Sequence, residues 1–121
     1  MSETVLVVGA SPKPDRYSNK AIRALLANGH RPIPLHPREA QIENLDCVPN
    51  VAAVSDPVDT VTLYVNPQRQ SDLMPDIVAL KPRRVIFNPG TENPVFQQVL
   101  SDNAIPWEEA CTLVLLSTKQ F

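Results

Sequence analysis

Apolar residues in this chain fall into short unbroken runs that alternate with segments of three-four spacing, and the two periods together predict alternating strands and helices. Val5-Leu6-Val7-Val8 contains no polar residue, as a strand of a parallel sheet covered on both faces requires. Val58 to Val65 is β-branched and mostly apolar, stops at Asn66-Pro67, and reads as another strand, as does Arg84-Val85-Ile86-Phe87. Arg31 to Leu35 fits a strand despite Pro32 and Pro34 if the edge facing them is incompletely paired. Ile105-Pro106-Trp107 predicts a short fifth strand.

Helical spacing fills the gaps. Ala21, Ile22, Leu25 and Leu26 mark one buried face of a helix that Ser18 is placed to cap and that stops at Asn28-Gly29. Ser71 is expected to cap a second helix, with Leu73, Met74, Ile77, Val78 and Leu80 inward, Pro75 in its first turn and Lys81-Pro82 as its stop. A third is expected over Asn93 to Asn103, with Val95, Phe96, Val99 and Leu100 inward. From Ala40 to Val48 the pattern predicts a loop or short excursion, Val51 to Val54 a single helical turn, and Thr112 to Leu116 a helical turn or a last strand.

Such alternation implies right-handed crossovers and helices on both faces of the sheet. The expected fold is α/β, a Rossmann-like three-layer sandwich with a mostly parallel sheet of five strands or slightly more. A length of 121 residues accommodates one such domain over 1–121 and no separate second one. Ligands of these sheets lie outside the carboxyl ends of the strands. That rule selects four loops: Gly9-Ala10-Ser11-Pro12-Lys13, His36-Pro37-Arg38, Asn66-Pro67 and Asn88-Pro89-Gly90-Thr91.

The first of these loops carries the chemistry. Gly9 permits a turn that a side chain would obstruct, and free backbone N–H groups beside a helix N-terminus favour a phosphate or pyrophosphate. With a single glycine, the G-x-G-x-x-G fingerprint of ordinary NAD sites is absent. The second strand ends in His36 and Arg38 where NAD sites place an acidic residue, so a phosphorylated ribose, as in NADP or coenzyme A, suits it better. The rival reading of Lys13, Arg16 and Arg38 is that of solvated surface charges.

Composition narrows the partners. A net charge of −2, with no basic strip, disfavours nucleic acid. No apolar stretch approaches the roughly 20 residues that span a bilayer, and Glu3 stands where a signal peptide would be basic, so no membrane association and a cytoplasmic location are expected. Cys47 and Cys111 are isolated, which predicts two reduced thiols and neither a metal site nor a disulfide framework. The 13 prolines lie between the apolar runs and punctuate elements, where a missing N–H does least harm.

Val8-Gly9-Ala10-Ser11 with Arg16-Tyr17-Ser18-Asn19, then Leu25 to Gly29-His30, then Leu35-His36-Pro37-Arg38, resembles the small CoA-binding domain family, stand-alone proteins similar to the nucleotide-binding domain of the succinyl-CoA synthetase α subunit. Asn66-Pro67, the loop Asn88 to Asn93 and Glu109-Ala110-Cys111 extend the likeness over essentially the whole chain. His36 departs from it, since asparagine commonly precedes that proline, and the residues after Cys111 also differ. The resemblance implies that Gly9, Ala10, Ser11 and Lys13 wrap a diphosphate, with Arg16 and Ser18 from the same motif. It implies that Arg38, beside His36 and Pro37, meets the ribose phosphate or flanks the adenine. Asn66, Pro67, Asn88, Pro89 and Gly90 would line the path of the pantetheine arm; Asn and Pro also form turns whatever the function.

Candidates for catalysis have simpler readings. His30 is expected to interact with a helix C-terminus, His36 to be a binding group, and Glu108-Glu109 to be solvated or to sit at a helix N-terminus. Cys111 reads as a small buried thiol, or else as a nucleophile or a partner for a mixed disulfide with CoA. The expectation is therefore a domain that binds coenzyme A or acyl-CoA, without catalysis of its own, as a sensor, carrier or accessory protein. The alternative is a small NADP- or nucleotide-dependent enzyme whose site a partner completes. Pairing with a second copy or another protein would cover Leu113 to Leu116.

Overall fold

The computed structural model describes residues 2–121, and alternation of strand and helix runs through all of them. In chain order they form β1 (Thr4–Val8), α1 (Tyr17–Ala27), β2 (Arg31–Leu35), β3 (Gln41–Ile42), β4 (Leu45–Asp46), β5 (Thr60–Leu63), α2 (Met74–Leu80), β6 (Arg84–Phe87), α3 (Pro94–Asp102), β7 (Trp107–Glu109) and α4 (Thr112–Ser117). Two 3-10 turns, Val51–Ala53 and Pro67–Arg69, bracket β5. The five longer strands pair in the order β2-β1-β5-β6-β7, every neighbour parallel. Strand order thus reverses at β1 and β5, and the loops leaving their carboxyl ends flank the crevice where such sheets bind ligands.

Alternate residues of the unbroken runs enter opposite layers. Leu6 and Val8 join Val61, Leu63, Val85 and Phe87 against Ile77 of α2 and Phe96 and Leu100 of α3. Val5 and Val7 face the other way, onto Ile22 and Leu25 of α1 and Leu116 of α4. Phe87 meets Phe96 and Trp107 edge-on, with centroids 5.6 and 6.0 Å apart, a favoured aromatic geometry. The fold is therefore the three-layer α/β sandwich that the periodicity predicts.

Pro32 and Pro34 show why an edge strand tolerates two prolines. Arg31 donates its N–H to the Glu3 carbonyl on the β1 side, so by the two-residue period Pro32 and Pro34 turn their nitrogens outward. The missing donors thus fall where the ladder needs none. The outer edge is covered locally by Val48, whose N–H donates to the Pro34 carbonyl and whose carbonyl accepts from His36. Such cover and proline together protect an edge from pairing with another chain.

Several expectations need correction. The stretch from Ala40 to Val48 holds the antiparallel hairpin β3–β4, with Ile42 buried against α1. Its turn residues, Glu43 and Asn44, lack the Asn-Gly or Asp-Gly signature by which such turns are recognised. Ser18 lies inside the first turn of α1, because Arg16 is the extended residue whose carbonyl takes the first helical bond, from Lys20. Ser71 does not cap α2: residues 71–73 form a turn, and the helix begins after Leu73.

Val95 is 68% exposed rather than inward, since Asn93 caps α3 and directs Phe96 and Leu100 to the core. The last strand starts later than Ile105. That residue donates its N–H to the Leu100 carbonyl to close α3, and Pro106 joins β6 only through its carbonyl, which accepts from Val85, so the register pairs begin at Trp107. Thr112 to Ser117 is helical, with Leu116 buried and Val114 exposed. His30 lies at the helix end, its N–H donating to the Leu25 carbonyl, and its Nδ1 is engaged by the Glu3 N–H, which ties the start of β1 to the end of α1. Glu108 lies on a strand and pairs with Arg84 at 3.4 Å, while Glu109 accepts from Gln97 at 2.9 Å.

Among the described residues, no helix is long and apolar enough to cross a membrane, and no cluster of three His, Cys, Asp or Glu side chains is placed to hold a metal.

Candidate functional site

Two adjoining cavities open at the carboxyl end of the sheet. The first, of about 350 Å³, lies over the loop after β1 and is bordered by Gly9, Ser11, Lys13, Arg16 and Ser18. Tyr17, Tyr64, Pro89 and Thr91 complete its wall. The second, of about 260 Å³, is bordered by Tyr17, Tyr64 and Pro89 again, together with Asn88, Cys111 and Leu113. Its shared wall makes it the continuation of the first, and its lining is the more apolar.

Gly9 makes the first cavity possible. Its φ is +88°, a backbone region that side chains disfavour, and a Cβ there would stand 3.0 Å from Val65 Cγ1 and 3.1 Å from the Tyr64 carbonyl carbon. Beyond it the chain turns on itself, with Arg16 donating to the Lys13 carbonyl at 3.1 Å and Lys13 N–H to Ser11 Oγ at 3.2 Å. The loop delivers Lys13 and Arg16 to the mouth, and neither makes an ion pair among the described residues. Two unpaired cations beside the amino end of an eleven-residue helix give this mouth a positive character.

The loops after β5 and β6 form the opposite wall, and a buried amide joins them. Gln70, wholly buried, donates its Nε2 to the Val65 carbonyl at 3.0 Å and to the Thr91 carbonyl at 2.8 Å, and its Oε1 accepts from Asn93. Asn88 gives Nδ2 to Thr62 Oγ1 at 2.7 Å and to the Leu63 carbonyl at 2.9 Å, and its Oδ1 accepts the Thr112 N–H at 2.9 Å. Only one wall of Asn88 therefore borders the second cavity; its amide pins α4 to the sheet. Thr91 caps its own turn, donating Oγ1 to the Asn88 carbonyl.

Tyr64 stands between the two cavities. Its hydroxyl is buried without a hydrogen-bond partner, although the Thr112 and Thr62 hydroxyls lie near. Burial pushes the phenol up to about 12, against the opposing pull of those two hydroxyls. Cys111 is half-buried beside it, on the wall of the second cavity. Cys47 lies elsewhere, and burial, reinforced by the Glu39 and Asp46 carboxylates, pushes its thiol up.

The candidate residues divide by place. Gly9, Ser11, Lys13, Arg16, Ser18 and Pro89 border the first cavity, and Asn88 and Pro89 the second. Ala10 is buried in the α1 layer behind the loop. His36, Pro37 and Arg38 border neither cavity; His36 Nδ1 instead accepts the N–H groups of Arg38 and Glu39 at 3.0 and 2.9 Å, closing a tight turn. An asparagine carbonyl makes the same two bonds, which explains how histidine stands in that position. Asn66 and Pro67 begin a 3-10 turn and border neither cavity, and Gly90, with φ +93°, serves the turn after β6. Thr91 borders the first cavity from within the selected Asn88–Thr91 loop, while Tyr17, Tyr64 and Leu113 border the cavities from outside the selected loops. Tyr64 lies two residues before the Asn66-Pro67 loop and Tyr17 at the start of the helix after the Gly9–Lys13 loop, whereas Leu113 adjoins none of the four selected loops.

Residues 3–117, nearly the whole chain, match the CoA binding domain family. The chain belongs to that family. An uncharacterized protein of known crystal structure is 41% identical over 100% of this chain and 99% of its own, with a TM-score of 0.94. A Thermus thermophilus protein is 26% identical, covers 98% of this chain and 90% of its own, and superposes with a TM-score of 0.90. The acetyl-coenzyme A synthetase 1 of Ca. Korarchaeum cryptofilum, solved with phosphate and ADP, shares the fold over 87% of this chain and 25% of its own, at 20% identity and a TM-score of 0.76. No curated protein matches the chain.

Proposed function

We propose that this domain binds coenzyme A or an acyl-CoA across the two adjoining cavities, with no catalysis of its own, as a sensor, carrier or accessory protein. Family membership supports CoA binding in general, and one observation supports this site: a cationic mouth bordered by Gly9, Ser11, Lys13 and Arg16 continues into a narrower, more apolar cavity. A diphosphate suits the mouth, and an uncharged pantetheine arm suits the continuation. The thiol or thioester end would then lie near Cys111 and the unpartnered Tyr64 hydroxyl. Fold likeness to a segment of an acetyl-coenzyme A synthetase is consistent with a module that other proteins combine with catalytic parts.

Arg38 is assigned to the ribose 3′-phosphate in this reading, because it is the cation of the turn that closes on His36 after β2, where NAD sites place an acidic residue. Its exposed side chain lies outside the two cavities, so it would meet only the outer end of the ligand. A second copy of the chain is the proposed partner, across the shallow groove between α1 and α4 where Ala24, Ala27, Leu113 and Val114 lie.

Thermal-shift titration with CoA, acetyl-CoA, dephospho-CoA, NAD and NADP tests the proposal. Ligand at a hundred times its dissociation constant adds about 2.7 kcal/mol of stability. Stabilisation by CoA species alone is expected, with Arg38→Ala lowering CoA affinity to that of dephospho-CoA. A response to NADP alone would overturn the proposal and favour the nucleotide-dependent enzyme.

A further inference from the structure

The turn of the β3–β4 hairpin carries a residue where its own side chain is sterically unwelcome. Glu43 and Asn44 both adopt left-handed backbone angles, φ 52° and 63°. Two-residue hairpin turns of this kind favour asparagine, aspartate and glycine. Asn44 meets that preference; Glu43 does not, and glycine would relieve it. A glutamate held in such a place points to work done by its carboxylate.

That carboxylate reaches the loop after β1 through Asn19. Glu43 Oε2 accepts from Asn19 Nδ2 at 3.2 Å, and the same amide nitrogen donates to the Ser11 carbonyl at 2.9 Å. Asn19 Oδ1 in turn accepts from Arg23 Nε at 2.9 Å, and Arg23 reaches the Pro14 carbonyl at 2.6 Å. The orientation of the amide is fixed, since Arg23 can only donate and the Ser11 carbonyl can only accept. Asn19 is wholly buried, so the loop is gripped from behind at Ser11 and Pro14 while its other side borders the cavity. The hairpin is a firm support: Ile42 is buried in the α1 layer, and Val48 beyond it is bonded to Pro34 and His36.

We infer that Glu43 is a positioning residue for the phosphate-facing loop, joining it through Asn19 to the segment that follows β2. The two loops assigned above to the diphosphate and to the ribose phosphate are thereby held as one unit. The effect on ligand rests on the CoA reading; the effect on the loop does not.

Glu43→Gly and Glu43→Gln separate this role from simple support of the fold. Glycine relieves the backbone and removes the carboxylate, so its melting temperature should equal or exceed that of the parent. Amide exchange at Lys13 and Arg16 in the ligand-free protein should nevertheless quicken, and CoA affinity should fall, each about three- to tenfold, as the loss of one bond to an exposed carboxylate implies. Glutamine keeps a carbonyl acceptor and should restore both readouts. Unchanged exchange in Glu43→Gly, a lowered melting temperature with faster exchange throughout the chain, or a glutamine variant no better than glycine would each overturn the inference. If the parent protein binds no CoA, the functional proposal fails, and the exchange comparison still decides the role of Glu43.

Discussion

Gly9 and Tyr64 touch through their backbones: a Cβ on Gly9 would stand 3.1 Å from the Tyr64 carbonyl carbon and 3.3 Å from its oxygen. This approach lets the loop after β1 and the strand end after β5 share one crevice floor. Tyr64 N–H donates to the Val8 carbonyl at 2.9 Å, so neither chain is free to retreat from an added methyl group. Gly9→Ala should therefore destabilise the fold by about 2 kcal/mol, from the positive φ and the clash together. It should weaken CoA binding further than the lost stability explains. Chemical denaturation beside calorimetric titration measures both, and an alanine variant of parental stability would refute the crowding.

Asn88 holds three partners while only 2% exposed, and two of them have no substitute. Its removal leaves the Leu63 carbonyl and the Thr112 N–H unpaired in the interior; Thr62 Oγ1 keeps its 2.8 Å contact with Thr112 Oγ1. Asn88→Ala should cost about 3 kcal/mol, the worth of two orphaned buried groups. Because α4 carries Leu113 on the cavity wall, reduced binding of long acyl-CoA relative to CoA is also expected. A variant with parental denaturant midpoint would show that α4 is held by packing of Leu116 alone.

Tyr64→Phe removes a buried hydroxyl that has no partner, so the ligand-free variant should gain about 1 kcal/mol. The phenol has a further signature in alkali. Its ordinary value of 10.0 is raised to about 12 in the fold, so the unfolded chain ionises first. Stability from this group is complete below pH 10 and declines as pH rises from there to about 12. That decline should be smaller in Tyr64→Phe, and equal slopes in the two proteins would place the phenol in water.

What the sequence discloses and what it conceals follow from how local each cause is. The runs Val5 to Val8 and Arg84 to Phe87 identify strands because burial on both faces leaves no room for a polar residue. Gly9, Ser11 and Lys13 are legible because loop and helix start lie together along the chain. Tyr64 and Gln70 are not, since their roles depend on contacts with Gly9 and Thr91, which pairing of distant strands creates. The helix starts assigned to Ser18 and Ser71 fail for a related reason. A capping residue is chosen by the tertiary path of the preceding chain, and Arg16 and Leu73 lie on that path without any capping side chain. His36 borrows the role of an asparagine, a substitution that only the geometry of its Nδ1 explains.

The two thiols should differ in reactivity for reasons the fold supplies. Cys47 lies near Glu39 and Asp46, and burial first, then those carboxylates, disfavour its thiolate. Alkylation of Cys47 by iodoacetamide in a Cys111→Ser background should therefore reach half its maximal rate above pH 9.0, the ordinary value of a free thiol. Burial is the larger cause, so Asp46→Asn should move that midpoint down only slightly. Cys111 lies on the cavity wall, and saturating CoA should slow its alkylation while leaving Cys47 unaffected. Mass spectrometry of the two cysteine peptides over a pH series reads all three effects. Equal protection of both thiols by CoA would indicate a global tightening, and protection of Cys47 alone would move the ligand to the opposite side of the sheet edge.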